Sequence, residues 1–92
     1  MADSKVLTTV IEFHSYSEII IGPNDGYDLG ILGINKKVKI LANGEIIDGL
    51  ITLNNKCKDL TVKINKRLHQ KIGAPQKIKL TLNNENLIIH TM

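Results

Sequence analysis

The feature that most constrains the fold of this 92-residue chain is a segment that recurs forty positions later. Residues 32–45 match residues 72–85, and five matched pairs are identical: Gly33/Gly73, Lys37/Lys77, Lys39/Lys79, Asn43/Asn83 and Glu45/Glu85. Apolar residues at 6, 7, 10, 11 and 13 recur in the same phase at 46, 47, 50, 51 and 53. Such internal similarity is typical of a duplicated structural unit. We therefore predict a single domain, 1–92, with internal repeats at about residues 6–45 and 46–89.

Each repeat has the pattern of two strands, a short helix and a third strand. Runs of β-branched and apolar residues predict these strands, and Asn-Gly or Asn-Asn pairs mark the turns that follow the third strand of each repeat. The predicted strands cover residues 6–13, 18–21 and 37–40 in the first repeat, 46–53, 60–64 and 77–80 in the second, and 87–89 at the end. The irregular apolar spacing of residues 46–53 predicts a bulge at Gly49.

The helix of the second repeat has recognisable boundaries. Asn65 is the predicted N-cap, the helix covers residues 66–72, and Gly73 ends it. The helix of the first repeat is expected to be capped by residue 24 or 25, and two glycines lower its propensity. Polar residues 14–17 are predicted to form a loop.

Apolar residues from every predicted element are expected to form one core. A chain of this length has room for one compact core only. The predicted core residues are Val10, Ile11, Ile20, Val38, Ile40, Leu50, Ile51, Val62, Leu68, Ile72, Ile78 and Leu80.

The composition favours an intracellular protein without a membrane span. No run of about 20 apolar residues occurs, and the first residues lead directly into a strand-like run, so we expect no signal peptide. The only cysteine, Cys57, excludes an internal disulfide and a cysteine-based metal site. We therefore expect a cytoplasmic location and no interaction with membranes.

Two repeats of this kind can close a barrel within one chain, which removes exposed sheet edges. The strand pattern Ile19-Ile-Ile-Gly-Pro-Asn, then Leu32-Gly-Ile and Lys37-Val-Lys-Ile, and its second copy from Leu60 to Leu80, resemble the cradle-loop barrels. The nearest resemblance is to the double-psi β-barrel at the amino end of valosin-containing-type AAA ATPases, over residues 6–82. It implies a mainly β fold, a small double-psi (cradle-loop) β-barrel built from two ββαβ repeats, with two short helices. It also implies a non-catalytic binding module that engages protein partners.

The same unit also resembles the AbrB-type swapped-hairpin domains, which bind DNA as homodimers. This chain departs from their pattern, since Asn65 replaces the usual proline, and Pro75-Gln76 and Lys36 replace a Gly-Asp turn. Two repeats in one chain also favour a self-contained barrel, for which a monomer is possible, whereas an AbrB-like chain would form a homodimer. A DNA-binding transcriptional regulator is therefore the alternative function. A small barrel subunit of an enzyme complex is a weaker one.

Basic residues cluster in the second half of the chain. Eight of them lie between residues 56 and 79, where Asp59 is the only acid. Such a segment is typical of a surface for an acidic protein or for nucleic-acid phosphates, and equally of a solvated lysine-rich face. The single arginine of the chain argues against strong base readout. The candidate binding residues are Lys56, Lys58, Lys63, Lys66, Arg67, Lys71, Lys77 and Lys79.

Other residue patterns give no catalytic site. His14, His69 and His90 lack metal-ligand spacing, and no Gly-Ser pair is present for the self-cleavage that a related pyruvoyl-dependent decarboxylase needs. The lysines beside Cys57 are of the kind that lower a thiol pKa, although a loop cysteine is usually inert. Asp48 is better suited to a turn than to acid catalysis. We therefore predict no enzyme activity, no metal and no cofactor.

Overall fold

The computed structural model describes residues 1–13 and 16–92. In this part of the chain, eight strands and two short helices follow one another. They are β1 (Ala2–Asp3), β2 (Leu7–Glu12), β3 (Ile19–Ile21), α1 (Pro23–Asp28), β4 (Asn35–Ala42), β5 (Glu45–Leu53), β6 (Thr61–Asn65), α2 (Lys66–Lys71), β7 (Lys77–Asn83) and β8 (Asn86–Thr91). Two residues of the predicted 14–17 loop, His14 and Ser15, lie outside the described residues.

Seven of these strands close a barrel. Their order around it is β7, β2, β6, β3, β5, β4 and β8, and β8 pairs back onto β7. The short β1 adds to the free half of β7 in antiparallel orientation. The mainly β class, the small closed barrel and the two short helices are therefore confirmed.

The pairings exchange strands between the two predicted repeats. β2 runs parallel to β6, and β3 runs parallel to β5. The antiparallel pair of β4 with β5 has its counterpart in the antiparallel pair of β7 with β2. Neither predicted repeat could form these pairs alone. The duplication itself stays a prediction, which superposition of the two halves would test.

β8 fills the remaining gap in the barrel wall. It forms a hairpin with β7 through a two-residue turn that begins at Asn84, and it also runs parallel to β4. The β4–β5 hairpin has a similar two-residue turn, Asn43-Gly44. Asn43, Gly44 and Asn84 have positive φ angles of 52°, 77° and 57°, which Asn and Gly tolerate better than other residues.

The inward-facing side chains of the strands form the core. The predicted core residues Val38, Ile40, Ile51, Val62, Leu68, Ile78 and Leu80 are buried, and Ile20, Leu50 and Ile72 are half-buried. Fully buried residues that the prediction omitted are Leu7, Ile19, Ile21, Ile64 and Leu87. Side chains alternate between the two faces of a strand. This alternation places Ile19 and Ile21 inside and turns Ile20 outward.

The prediction was wrong for Val10 and Ile11, which are 45% and 38% exposed. Val10 lies on the outward face of β2, because Leu7 faces the core and alternation puts residue 10 on the opposite side. Ile11 has the inward parity, but it lies beyond the two residues of β2 that pair with β7. Its side chain is therefore only partly covered.

The predicted bulge at Gly49 was also wrong. β4 and β5 pair without interruption from Asn35–Thr52 to Ala42–Glu45. A Cβ atom at Gly49 would lie 2.6 Å from Ile40 Cδ1 and 3.0 Å from Glu18 Oε1. Glycine is therefore required here for close approach of two side chains rather than for a bulge.

The predicted helix of the second repeat is confirmed, whereas the end of the helix in the first repeat differs from the prediction. Asn65 Oδ1 accepts hydrogen bonds from the N–H groups of Arg67 and Leu68, as an N-cap does. α2 ends at Lys71, just before Gly73, whose φ is 92°. In α1 the glycine that follows the helix is Gly30, with φ 75°, and not Gly33. The segment 32–34 is therefore additional to the first repeat.

The start of α1 also differs from the prediction. Gly22 is the N-cap and makes no side-chain hydrogen bond, and Pro23 occupies the first helical position. Proline fits there because its fixed φ matches a helix and its missing N–H would be unpaired anyway. Residues 24 and 25 therefore do not cap the helix. Because β3 and β6 are antiparallel and each leads into a helix, α1 and α2 lie at opposite ends of the barrel.

Candidate functional site

The structure brings together three of the eight candidate basic residues. Lys66, Arg67 and Lys71 lie on α2 and line one groove at the α2 end of the barrel. The other five are dispersed over the barrel. Lys56 and Lys58 lie in the loop before β6, Lys63 lies on β6, and Lys77 and Lys79 lie on β7. The basic segment of the sequence is therefore not one continuous surface.

The groove, called the α2 groove below, is open and has a volume of about 780 Å³. Its apolar side chains include Phe13 and Ile47, and Phe13 is 64% exposed. Acidic and basic side chains both line it. The acids are Glu12, Glu18 and Asp48, and the bases are Lys66, Arg67 and Lys71.

Glu18, which lines the groove, accepts hydrogen bonds from two backbone N–H groups. The Glu18 carbonyl oxygen accepts from the N–H of Asn65 at 2.9 Å, next to the start of α2. Its carboxylate Oε1 accepts from the N–H of Leu50 on β5 at 3.0 Å. One residue thus joins β5 to the start of α2, and this fixes the positions of the surrounding side chains.

Most of the basic side chains near the groove already have partners. Lys71 forms an ion pair with Glu45, and the Nζ of Lys66 lies 5.5 Å from the centre of the Phe13 ring, within cation–π range. Among the acidic residues, Asp48 has its Oδ1 atom 3.6 Å from the Nζ atom of Lys39. Arg67 forms no ion pair with any residue that the structure describes. Its guanidinium is therefore the base best placed to meet a ligand.

Sequence reasoning missed the acidic half of this groove. Glu12 and Glu18 come from the first repeat, and Asp48 comes from the start of the second, far from the basic segment in sequence. The parallel pairing of β2 with β6 places Glu12 beside Asn65, the N-cap of α2. The one available signal was the matched pattern of the two repeats, which predicts that the repeats contact each other but not at which residues.

Cys57 is a buried thiol in this fold. Its Sγ lies within hydrogen-bonding distance of the carbonyl oxygens of Ile20 and Thr61. Burial raises the pKa of the Cys57 thiol, and the lowering effect of Lys63 is smaller. The pKa therefore shifts in the direction opposite to the one that adjacent lysines would produce, which agrees with the expectation of an inert cysteine.

The two described histidines make structural contacts. His69 is buried, and its Nε2 donates to the Pro75 carbonyl oxygen at 2.8 Å. His90 Nε2 lies 2.9 Å from the hydroxyl of Thr81, which in turn bonds Asp3 and so ties β1 to β7. Among residues 1–13 and 16–92, no group of three or more His, Cys, Asp or Glu side chains could hold a metal ion.

Neither of the described helices is long and apolar enough to span a membrane. Comparison with known proteins finds no matching family model, no matching curated protein and no matching solved structure.

Proposed function

We propose that this chain is a non-catalytic protein-binding module whose partner binds in the α2 groove. The observation that carries the proposal is the mixed lining of the groove, in which an exposed aromatic ring lies among side chains of both charges, together with Arg67, which has no ion pair among the described residues. Aromatic residues and arginine are enriched at protein interfaces. Complementary charges across an interface give specificity and raise the association rate.

The resemblance of the sequence to the AAA-ATPase amino-terminal barrel supports this proposal. The closed, mainly β barrel with two short helices is the architecture that this resemblance implies. The parallel pairs β2–β6 and β3–β5, each between the two predicted repeats, are compatible with a double-psi arrangement.

The same observations weigh against the alternative, an AbrB-like DNA-binding regulator. DNA binding depends on basic side chains that neutralise the phosphates of the backbone. In the α2 groove, Glu18 and Asp48 would face those phosphates, and Lys71 is already paired with Glu45. A protein segment that carries both charges suits this lining better than a phosphate backbone does.

Peptide display combined with DNA titration tests the proposal. The chain is screened against random twelve-residue peptides, and selected peptides are measured by fluorescence anisotropy. The triple variant Lys66→Ala, Arg67→Ala, Lys71→Ala should bind them at least about tenfold more weakly, as loss of interface hot spots does. The matched control, Lys56→Ala with Lys58→Ala, changes the loop before β6 and should bind like the wild type.

Two results would overturn this function. One is equal binding of the selected peptides by the triple variant and the wild type. The other is tight binding of labelled duplex DNA at low salt that the triple variant loses, with a flatter salt dependence. The second result would establish the regulator in place of the protein-binding module. Sedimentation as an inseparable dimer would support that outcome.

A further inference from the structure

The antiparallel pair of β4 with β5 and its counterpart, the pair of β7 with β2, differ in length. On one side, β4 covers the edge of β5 as far as Asn35, which pairs with Thr52. The coverage continues one residue further, because the N–H of Leu53 donates to the Ile34 carbonyl oxygen at 2.8 Å. The additional segment 32–34 supplies the chain length for this contact. The edge of β5 is therefore covered to its end.

On the other side, β7 covers only the beginning of β2. The two strands pair at Leu7–Ile78 and Thr8–Lys77. One further backbone hydrogen bond, from the N–H of Thr9 to the Gln76 carbonyl oxygen at 2.9 Å, ends the contact. Among residues 1–13 and 16–92, no strand lies on this side beside residues 10–13, called the β2 edge below.

The chain before β7 is held away from the β2 edge. Ala74 has a φ of 52°, and its N–H donates to the His69 carbonyl oxygen at 2.7 Å. Pro75 has no N–H to offer, and its carbonyl oxygen accepts from His69 Nε2 at 2.8 Å and from the Thr9 hydroxyl at 2.7 Å. Because these backbone groups are already engaged, this segment cannot extend β7 along β2.

The backbone of Ile11 faces the open side. The N–H of Thr8 donates to Leu60 on the β6 side, whereas the N–H of Thr9 donates to Gln76 on the opposite side. The backbone groups of a strand beside a parallel neighbour point alternately to its two sides. Those of Ile11 therefore point the same way as those of Thr9. Within residues 1–13 and 16–92, no backbone group pairs with Ile11 there.

The side chains around this edge form an apolar groove with a basic margin. The groove has a volume of about 500 Å³, and Val10, Ile11 and Pro75 are among its lining residues. Lys77 is its only charged lining residue in the described part of the chain. The next two residues along the chain after Ile11, Glu12 and Phe13, line the α2 groove, so that the two grooves adjoin.

We infer that the β2 edge binds an extended segment of a partner protein as an added β-strand. The inference rests on the protein-binding function proposed above and specifies how the partner binds. A strand that adds to an open edge gains main-chain hydrogen bonds, and its alternate side chains give specificity. The apolar groove suits β-branched residues, and Lys77 at its margin suits acidic residues between them. The partner segment is therefore an extended peptide in which apolar and acidic residues alternate.

A labelled synthetic peptide, Glu-Val-Thr-Val-Glu-Val-Thr, tests the inference by fluorescence anisotropy. Ile11→Pro removes the outward N–H, and proline is tolerated at a strand edge. Ile11→Val keeps this N–H and is the matched control. We expect wild type and Ile11→Val to bind alike and Ile11→Pro to bind at least about tenfold more weakly. In the wild-type complex, the Ile11 amide should become protected from hydrogen exchange, a readout that needs no variant.

Three results would contradict the edge-binding mode: no binding of this peptide by the wild type, equal binding by Ile11→Pro, or an Ile11 amide that stays unprotected in the complex. None of them affects the peptides selected against the α2 groove, so the proposed function is judged separately by the Lys66, Arg67 and Lys71 variant. A wild-type dimer that Ile11→Pro converts to a monomer would identify a second copy of the chain as the occupant instead.

Discussion

Asp25 is a buried carboxylic acid on α1, at one end of the barrel, and is 1% exposed. Its Oδ2 accepts the N–H of Leu60 at 3.0 Å. Leu60 itself has a φ of 61°, in the left-handed region that non-glycine residues rarely adopt. The Asp25 carboxyl group thus fixes the backbone of Leu60, the residue that directly precedes β6.

Burial gives this contact a pH dependence. Desolvation raises the pKa of Asp25 above its ordinary value of 3.8, and the hydrogen bond from Leu60 opposes this only in part. The folded state therefore binds the Asp25 proton more tightly than the unfolded state does. The contribution of Asp25 to the free energy of unfolding is full below the unfolded pKa and is lost as the pH rises through the folded pKa.

Asp25→Asn should remove this dependence, because the amide is neutral at every pH and its oxygen still accepts the Leu60 N–H. The free energy of unfolding of the variant minus that of the wild type should be larger at pH 7 than at pH 3, so that the variant is relatively more stable at pH 7. Urea unfolding at both pH values measures this difference. A relative stability that is lower at pH 7 than at pH 3 would contradict the buried, proton-favouring environment. Asp25→Ala, which leaves the Leu60 N–H unpaired, should cost about 1–3 kcal/mol.

The contrast between Ile51 and Val10 tests the assignment of inward and outward faces. Ile51 is fully buried, so Ile51→Ala should lower the free energy of unfolding by about 2–5 kcal/mol, the usual cost of such a cavity. Val10 is 45% exposed, so Val10→Ala should cost about 1 kcal/mol or less. Denaturant midpoints of both variants measure the difference. Equal costs at the two positions would show that β2 or β5 is misplaced.

At the scale of elements, Gly49 shows how closely the strands approach one another. An alanine there would place its Cβ against Ile40 and Glu18 at 2.6 and 3.0 Å. Gly49→Ala should therefore lower the free energy of unfolding by about 1–3 kcal/mol, as overpacking does. Gly33→Ala is the matched control, because its nearest neighbour would be 3.8 Å away. Thermal unfolding compares the two, and a Gly49→Ala variant as stable as the control would refute the close packing.

Most elements were predictable from local sequence, since apolar runs, Asn-Gly turns and the Asn65 cap each act over a few residues. What could not be predicted is which positions lack a neighbour. Ile11 has the same apolar character as its buried counterpart Ile51, and it is exposed because β7 begins too late to cover this part of β2. Similarly, Gly33 matches Gly73 in sequence, but the positive φ of Gly30 shows where α1 actually ends. The additional residues 32–34 before β4 place Gly33 opposite Gly73 in the sequence, although Gly30 has the equivalent position in the structure.

At the scale of the whole molecule, closure of the barrel decides which charges meet. The antiparallel pair of β3 and β6 sends α1 and α2 to opposite ends. The basic segment 56–79 is thereby divided between the α2 groove, the loop before β6 and the faces of β6 and β7. Its sequence predicted three groove residues, but the acids opposite them come from strands distant in sequence. The candidate site was therefore only half predictable.

The central claim is a closed barrel that leaves the backbone of β2 open beyond Thr9. Native-state amide hydrogen exchange of the free protein, followed residue by residue by NMR, tests it most directly. The account predicts slow exchange for Ile40 and Leu80 in the barrel wall, and slow exchange for Val10, whose N–H faces β6. We expect fast exchange for Ile11, the next residue after Val10 in the same strand, because its N–H faces the open side. An Ile11 amide as protected as that of Val10 would contradict the account.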